Sequence, residues 1–220
     1  MALADLIIPH YCCVCGDIGS ILCNSCRNDI VSEPFNNCLV CLQPIANHHG
    51  LCERHSASAM GASVVGWRRD GLEKLVGASK FTSTRAGCTV QAELLLGVLP
   101  SFTEPVSVIP VPTIMQHRRQ RGYGHAELIA KSITAFRNYR YESIVGRRGN
   151  YVQHNTTRVE REKQAKNSFI VAKYLDPDRT YLLVDDVYTT GATVRAITEL
   201  LRQAGAYKVW WAITTRQPVD

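Results

Sequence analysis

An apolar stretch at residues 181–184 ends in two adjacent carboxylates, Asp185 and Asp186, and a loop of small residues follows at 189–193. The loop reads TTGAT and opens a run with helical periodicity. A strand, a loop and a helix N-terminus in that order gather free backbone N–H groups that bind anions. Gly191 allows close approach of the backbone, and neighbouring threonine hydroxyls add donors. Because carboxylates can accept hydrogen bonds from a vicinal diol, the stretch predicts a site for a ribose 5-phosphate.

Cysteines form a second chemical pattern, since eight of the nine lie within the first 52 residues. Most occur in pairs separated by two residues, a spacing with which one tight turn presents two ligands to a tetrahedral ion. In a reducing compartment such a cluster indicates metal ligation rather than disulfides. We therefore predict one or two structural zinc ions, whose binding supplies folding energy to a small module at residues 1–58. The predicted ligands are Cys12, Cys15, Cys23, Cys26, Cys38, Cys41, Cys52 and His55.

The spacing leaves open how these pairs combine. Sequential pairing, which we favour, joins the first pair to the second and the third to the fourth, as in two zinc ribbons. A cross-braced arrangement would join alternate pairs instead. Cys13 could replace Cys12 after a register slip, and His48 or His49 could replace His55. We expect the module to be structural, the alternative being a docking module for nucleic acid or protein.

Charge separates this module from the rest of the chain. Residues 1–60 contain two basic and five acidic residues, whereas the rest of the chain contains 23 basic and 14 acidic ones. Between Thr113 and Lys166 twelve Lys or Arg stand against four Glu, which predicts a polyanionic ligand near this segment. No run approaches the ~18 apolar residues of a membrane span. The N-terminus carries Asp5 and no basic residue, unlike a secretory signal, so we expect a cytoplasmic protein.

The elements that position these residues are readable in residues 59–220, which we expect to form a second domain after a small-residue linker. Apolar runs predict strands at 63–69, 106–112, 168–173, 181–187 and 208–215, and amphipathic runs predict helices at 70–81, 84–99, 124–136 and 191–205. This alternation predicts an α/β fold with a mainly parallel sheet and ligands at the carboxyl ends of its strands. Residues 139–166 have little periodicity and much charge, which is typical of a functional loop.

At the acid pair and the following loop the sequence resembles the type I phosphoribosyltransferases, whose signature is a hydrophobic strand, two acids and a T-T/S-G-x-T loop. Over nearly the whole chain it resembles the ComF family of competence-associated proteins, which join a cysteine-rich zinc module to such a domain. Supporting stretches are SKF at 79–81, PVP at 110–112, RGYGHAELIA at 121–130 and the spacing Gln153…Arg161…Phe169. The chain departs from the family's usual residues at His117, Tyr123, Gly124, His125 and Gln164.

The resemblance implies that phosphoribosyl pyrophosphate binds, with magnesium, at Asp185, Asp186, Thr189, Thr190, Gly191, Ala192 and Thr193. Its pyrophosphate would lie near Pro112. Candidates to neutralise that group are Arg118, Arg119 and Arg121, because guanidinium forks match phosphate oxygens. A mobile segment, the hood, would close over the ligand; its residues include Arg147, Arg148, Gln153, Arg158 and Arg161.

The resemblance also implies a role in handling single-stranded DNA during natural transformation, with DNA or other competence proteins as partners. Aromatic residues interleaved with the basic stretch would suit base stacking; these are Tyr123, Phe136, Tyr139, Tyr141 and Tyr151. The alternative is an active phosphoribosyltransferase that moves a phosphoribosyl group onto an unidentified nucleobase-like acceptor. No acceptor can be read from the chain.

Overall fold

The computed structural model describes residues 10–46, 49–81, 85–147, 168–171 and 174–219. Within them, five parallel strands form the central sheet, and their runs of apolar residues suit strands that are covered on both faces. The strands span Gly61–Trp67 (β1), Val106–Pro110 (β2), Arg140–Tyr141 (β3), Thr180–Tyr188 (β6) and Lys208–Arg216 (β7). Across the sheet the order is β1, β7, β6, β2, β3. A separate antiparallel pair joins β4, Val145–Arg147, to β5, Phe169–Val171.

Six α-helices lie in the described ranges: Asn24–Ser32 (α1), Asp70–Phe81 (α2), Arg85–Val98 (α3), Met115–Arg121 (α4), His125–Arg137 (α5) and Ala192–Gln203 (α6). Helices α2, α3 and α5 cover one face of the sheet, whereas α6 and the β4–β5 pair cover the other. Successive side chains of a strand point to opposite faces. Accordingly, Leu182 and Trp210 enter the core under α3 and α5, while Leu183 and Trp211 enter the core under α6.

The cysteine module contacts both of these cores at the β1 edge of the sheet. Cys12 and Cys26 belong to the core on the α2 and α3 side, and Cys38 and Leu39 belong to the core on the α6 side. The backbone N–H of Ala62 in β1 donates to the carbonyl of His49, 2.7 Å away. The module therefore covers a strand edge that would otherwise be open to pairing with another chain.

The structure confirms the predicted fold class and corrects several element boundaries. The strand predicted at 106–112 ends at Pro110. Two helices that we did not predict, α1 and α4, lie in the cysteine module and directly before α5. Short strands β3 and β4 occupy part of the stretch that we interpreted as an irregular loop. In the described part of the chain, no helix combines the length and apolarity needed to cross a bilayer.

Candidate ligand site and cysteine clusters

The two acids lie near the carboxyl end of the central strand β6. Asp185 Oδ1 accepts a hydrogen bond of 2.9 Å from the backbone N–H of Asp186. Burial, followed by the charge of Asp186, raises the pKa of Asp185 to about 8. Near its carboxyl end, β6 therefore carries Asp185, which holds its proton near neutral pH, and Asp186, which is paired with a cation.

That cation is Lys80, at the C-terminal end of α2. Its Nζ lies 2.6 Å from Asp186 Oδ2, and the two side chains are only 19% and 14% exposed. Nδ1 of His125, the first residue of α5, lies 3.8 Å from the same carboxylate oxygen. Three elements distant in the sequence thus converge on Asp186. A pair this shielded from solvent is screened far less than a surface salt bridge.

The carbonyl oxygen of Ser79 fixes the position of Lys80. It accepts hydrogen bonds from the Tyr123 hydroxyl at 2.8 Å and from His125 Nε2 at 2.7 Å. Because a carbonyl can only accept, His125 carries a hydrogen on Nε2. The start of α5 is thereby bonded to the last turn of α2, and this contact directs the lysine toward the acid pair.

Residues 189–193, hereafter the phosphate loop, connect β6 to the N-terminus of α6. Gly191 has a φ of +74°, and a Cβ added there would lie 2.0 Å from the Tyr188 hydroxyl oxygen. Arg195 Nη1 donates to that hydroxyl at 3.2 Å and to the Thr190 carbonyl at 3.0 Å. Since C=O and N–H point in opposite directions across a trans peptide, tying back this carbonyl turns the Gly191 N–H the other way. The loop is thus built to present donors to an anion.

A cavity of about 240 Å³ opens where these parts meet. Pro112 lines it, and so does Arg147, which we assigned to the hood. Lys80 and His125, which we did not predict as site residues, line the cavity as well. The other residues that line it are Val111, Thr113, Ile114, Ala126, Asp185, Asp186 and Thr193. The phosphate-loop residues Thr189, Gly191 and Ala192 enclose an adjoining hollow with Asp185 and Thr193.

Among the described side chains, Arg118 and Arg119 do not line this cavity. Arg118 is 54% exposed and pairs with Glu127 Oε2 at 3.3 Å, and Arg119 is exposed on the same short helix. Arg121 is the last residue of α4. Gln153 and Arg161, with Arg148 and Arg158, lie outside the described residues.

The aromatic residues proposed for base stacking occupy different environments. Tyr123 is buried and hydrogen-bonded to Ser79, so it offers no surface to a base, and its assignment as a stacking residue was wrong. Tyr139 and Tyr141 are partly buried against the core, whereas Phe136 is exposed. Tyr151 lies outside the described residues.

The cysteine pairs meet in sequential order, which is the pairing that we favoured. The first cysteine cluster is Cys12, Cys15, Cys23 and Cys26, and the second is Cys38, Cys41, Cys52 and His55. Within each cluster the ligand atoms lie within 4.8 Å of one another. Cys13 belongs to neither, and the His49 ring instead packs edge-on against Trp210. His48 lies outside the described residues.

The ligand geometry of both clusters suits tetrahedral zinc, in which sulfurs about 3.8 Å apart share one ion. Cys15 and Cys23 Sγ are 3.6 Å apart, and Cys41 and Cys52 Sγ are 3.7 Å apart. Burial opposes ionisation of the Cys12 thiol, but backbone N–H groups of neighbouring residues lower its pKa to about 6. The same balance lowers the pKa of Cys38 to about 6. The proximity of the ligand atoms in each cluster therefore suits one structural zinc ion.

No protein-family profile matches the chain. Competence protein F of Haemophilus influenzae is 30% identical to it over 199 residues, which cover 86% of this chain and 87% of the relative. The chain belongs to the ComF family. Competence protein ComFC of Streptococcus pneumoniae is 24% identical over 86% of this chain and 85% of its own length. DNA utilization protein YhgH of Escherichia coli is 26% identical over 86% and 95%, respectively.

Solved structures similar to this ComF protein include an allosteric regulatory enzyme of purine biosynthesis, which is 20% identical with a TM-score of 0.39. The similarity covers 57% of this chain but only 25% of that enzyme. A hypoxanthine phosphoribosyltransferase from Staphylococcus aureus is 13% identical, with a TM-score of 0.38 over 62% of this chain and 65% of its own.

Proposed function

We propose that this ComF protein binds phosphoribosyl pyrophosphate at the carboxyl ends of β2 and β6 and uses that site in handling single-stranded DNA during natural transformation. The observation that carries the ligand assignment is the cavity lined by Asp185, Asp186 and Thr193, together with the adjoining hollow that the phosphate loop lines. In this proposal the acids accept hydrogen bonds from the ribose diol. The loop and the N-terminus of the 12-residue helix α6 receive the 5-phosphate.

Charge supports the remaining part of the ligand assignment. A diphosphate is strongly anionic, and two uncompensated carboxylates would repel it. Lys80 neutralises Asp186 at 2.6 Å, and the high pKa of Asp185, raised by burial and by Asp186, lowers the negative charge further. Arg147 adds a guanidinium to the rim of the cavity.

Magnesium would enter this site with the ligand, bound to the diphosphate, and the Asp186 carboxylate and Thr193 hydroxyl that line the cavity are oxygen donors of the kind it prefers. Bound to the diphosphate, it would supply charge neutralisation. The side chains of the protein orient the sugar, receive the phosphate and hold the proton on Asp185.

The proposed process rests on the relatives rather than on the cavity. The relatives from Haemophilus influenzae and Streptococcus pneumoniae carry the names of competence proteins, and the one from Escherichia coli is named for DNA utilization. Exposed Phe136 and the basic excess between Thr113 and Lys166 would offer stacking and phosphate contacts to a single strand.

Calorimetric titration with phosphoribosyl pyrophosphate and magnesium tests the ligand assignment. We expect the wild-type protein to bind and the double variant Asp185→Asn/Asp186→Asn to lose binding. Asp178→Asn, which alters an exposed acid in the turn before β6, is the matched control and should bind as wild type does. Well-folded wild-type protein that gives no heat would overturn the proposal. Pyrophosphate release that depends on an added acceptor would instead assign the protein as an active transferase.

A further inference from the structure

Arg216, the last residue of β7, joins the second cysteine cluster to the phosphate loop. Its side chain is buried, and its Nε donates to the carbonyl of Leu39 at 3.0 Å. Leu39 lies in the turn between Cys38 and Cys41. The Nη1 of the same guanidinium donates to the carbonyl of Thr189 at 2.8 Å. One rigid group therefore spans a turn that carries metal ligands and the first residue of the phosphate loop.

The remaining contacts of Arg216 lie at the carboxyl ends of β6 and β7, where Nη1 donates to the Gln217 carbonyl at 2.6 Å. Nη1 also reaches the Tyr188 carbonyl at 3.3 Å, and the guanidinium lies 5.1 Å from the centre of the Tyr188 ring. The hydroxyl of that ring is bonded to Arg195, which holds the Thr190 carbonyl. Consecutive carbonyls of the loop are thus tied back by two arginines. Across a trans peptide, this arrangement directs the N–H of Thr190 away from Arg216 and the N–H of Gly191 away from Arg195, so both remain available to an anion.

The charge of Arg216 lacks a carboxylate partner within the described part of the chain, where no acidic oxygen lies within 4 Å of its nitrogens. A buried charge is costly unless an opposite charge compensates it. Three thiolates and a neutral imidazole around Zn²⁺ carry a net charge of about −1. Ligand phosphate on the other side would be a second anion. Arg216 lies between these two anionic positions.

We propose that Arg216 is a positioning residue that couples metal binding in the second cysteine cluster to ligand binding at the phosphate loop, so that each event stabilises the other. A metal ion that orders the Cys38–Cys41 turn fixes the Leu39 carbonyl. The guanidinium then holds the carbonyls of the loop in the orientation that receives phosphate. Thermodynamic reciprocity requires that bound ligand also raises the affinity of this cluster for its metal ion. We expect that higher affinity to appear as slower metal loss. The inference rests on the proposed binding of phosphoribosyl pyrophosphate.

Arg202 provides a matched control for this coupling. It lies in α6, and its Nη1 donates to the carbonyl of Ala57 at 2.7 Å. Like Arg216, this arginine is therefore hydrogen-bonded to the cysteine module. It contacts neither the Cys38–Cys41 turn nor the phosphate loop among the hydrogen bonds of the described residues. Arg202→Lys should therefore reproduce any general loosening of the module without touching the coupled elements.

The test measures zinc transfer from the full, zinc-loaded chain to a chromogenic chelator, with and without phosphoribosyl pyrophosphate and excess magnesium. In wild type and in Arg202→Lys, the ligand should slow release of one zinc equivalent at least fivefold, in the range of common coupling energies. That slowed phase should be absent from Cys41→Ser. Arg216→Lys keeps the positive charge but loses the planar guanidinium group. In this variant the ligand should leave the rates of zinc release unchanged. Every variant is mixed with the same concentrations of ligand, magnesium and chelator, so the amount of zinc bound by the diphosphate itself is the same in all samples.

Calorimetry on the same samples separates the two proposals. We expect Arg216→Lys to weaken ligand binding at least fivefold, and Cys41→Ser to weaken it no further in the Arg216→Lys background, since the coupling is then already lost. Wild-type protein that binds the ligand without any change in zinc release would overturn the coupling alone. Wild-type protein that fails to bind would overturn the proposed function and the coupling with it. The wild-type comparison needs no substituted chain, so misfolding of a variant cannot hide the answer.

Discussion

Nζ of Lys80 lies 2.6 Å from Oδ2 of Asp186, and the two side chains are 19% and 14% exposed. The lysine ends a helix on one face of the sheet, whereas the acid belongs to the central strand. Their contact depends on the Ser79 carbonyl, which Tyr123 and His125 hold from the start of α5. An anionic ligand entering this cavity meets a partly neutralised acid pair rather than two bare carboxylates. The pair thus makes one surface suitable for both a diol and a phosphate.

Replacing Lys80 with methionine should weaken binding of phosphoribosyl pyrophosphate about tenfold or more, because the cavity would lose the positive charge that offsets the acid pair and attracts the diphosphate. Calorimetry with magnesium measures the change. Lys131→Met is the matched control, since Lys131 Nζ lies 2.7 Å from Glu127 Oε1 but is 51% exposed and outside the cavity. Equal affinities for wild type and Lys80→Met would refute this role of the ion pair.

Asp185 should make the folded protein less stable as the pH rises. Its pKa is raised from 3.8 to about 8, first by burial and then by Asp186, so between these values the folded state binds a proton that the unfolded state has released. The free energy of unfolding therefore falls as pH increases through this window, by at most about 1.4 kcal/mol per pH unit from this group. Asp185→Asn should lack that slope in urea titrations at several pH values, and Asp178→Asn should retain it. Parallel curves for wild type and Asp185→Asn would contradict the assignment.

The parts of the site that lie close together in sequence were predictable. The acid pair, the loop and the start of α6 are consecutive, so strand and helix periodicity around residues 181–205 located them. The cysteine ligands were predictable for the same reason, because a gap of two residues is a local geometric condition. Helices α1 and α4 were missed, since α1 has no side-chain cap and α4 is a short, almost wholly polar segment.

The missed residues depend on tertiary packing. Lys80 and Asp186 meet only because tertiary packing brings the C-terminal end of α2 to the carboxyl end of β6, which sequence spacing does not encode. The signal for Lys80 was the SKF stretch, and the signal for His125 was a departure from the family pattern. Arg216 carried a weaker signal, namely a charged residue at the carboxyl end of an apolar strand.

Two zinc ions per chain are expected, one in each cysteine cluster. Cys41→Ser should reduce the bound zinc to about one equivalent, because three remaining ligands hold the ion weakly. Zinc content measured by elemental analysis after exhaustive dialysis provides the test. Cys88→Ala is the control, since Cys88 is fully buried in α3 and belongs to neither cluster. If Cys88→Ala also lost one equivalent of zinc, the ligand sets proposed for the clusters would be wrong.

Gly191 should tolerate no side chain. Alanine there would be strained at a φ of +74°, and its Cβ would lie 2.0 Å from the Tyr188 hydroxyl oxygen and 2.7 Å from Arg195 Nη1. We expect Gly191→Ala to lower stability by about 1–2 kcal/mol and affinity for phosphoribosyl pyrophosphate about tenfold or more, because the loop must move its N–H groups. Gly97→Ala, at an exposed position of α3 with no atom within 4 Å of the new Cβ, should instead raise stability by about 0.5–1 kcal/mol and leave binding unchanged. Urea denaturation and calorimetry measure both effects, and an unchanged affinity in Gly191→Ala would mean that the phosphate loop does not receive the ligand.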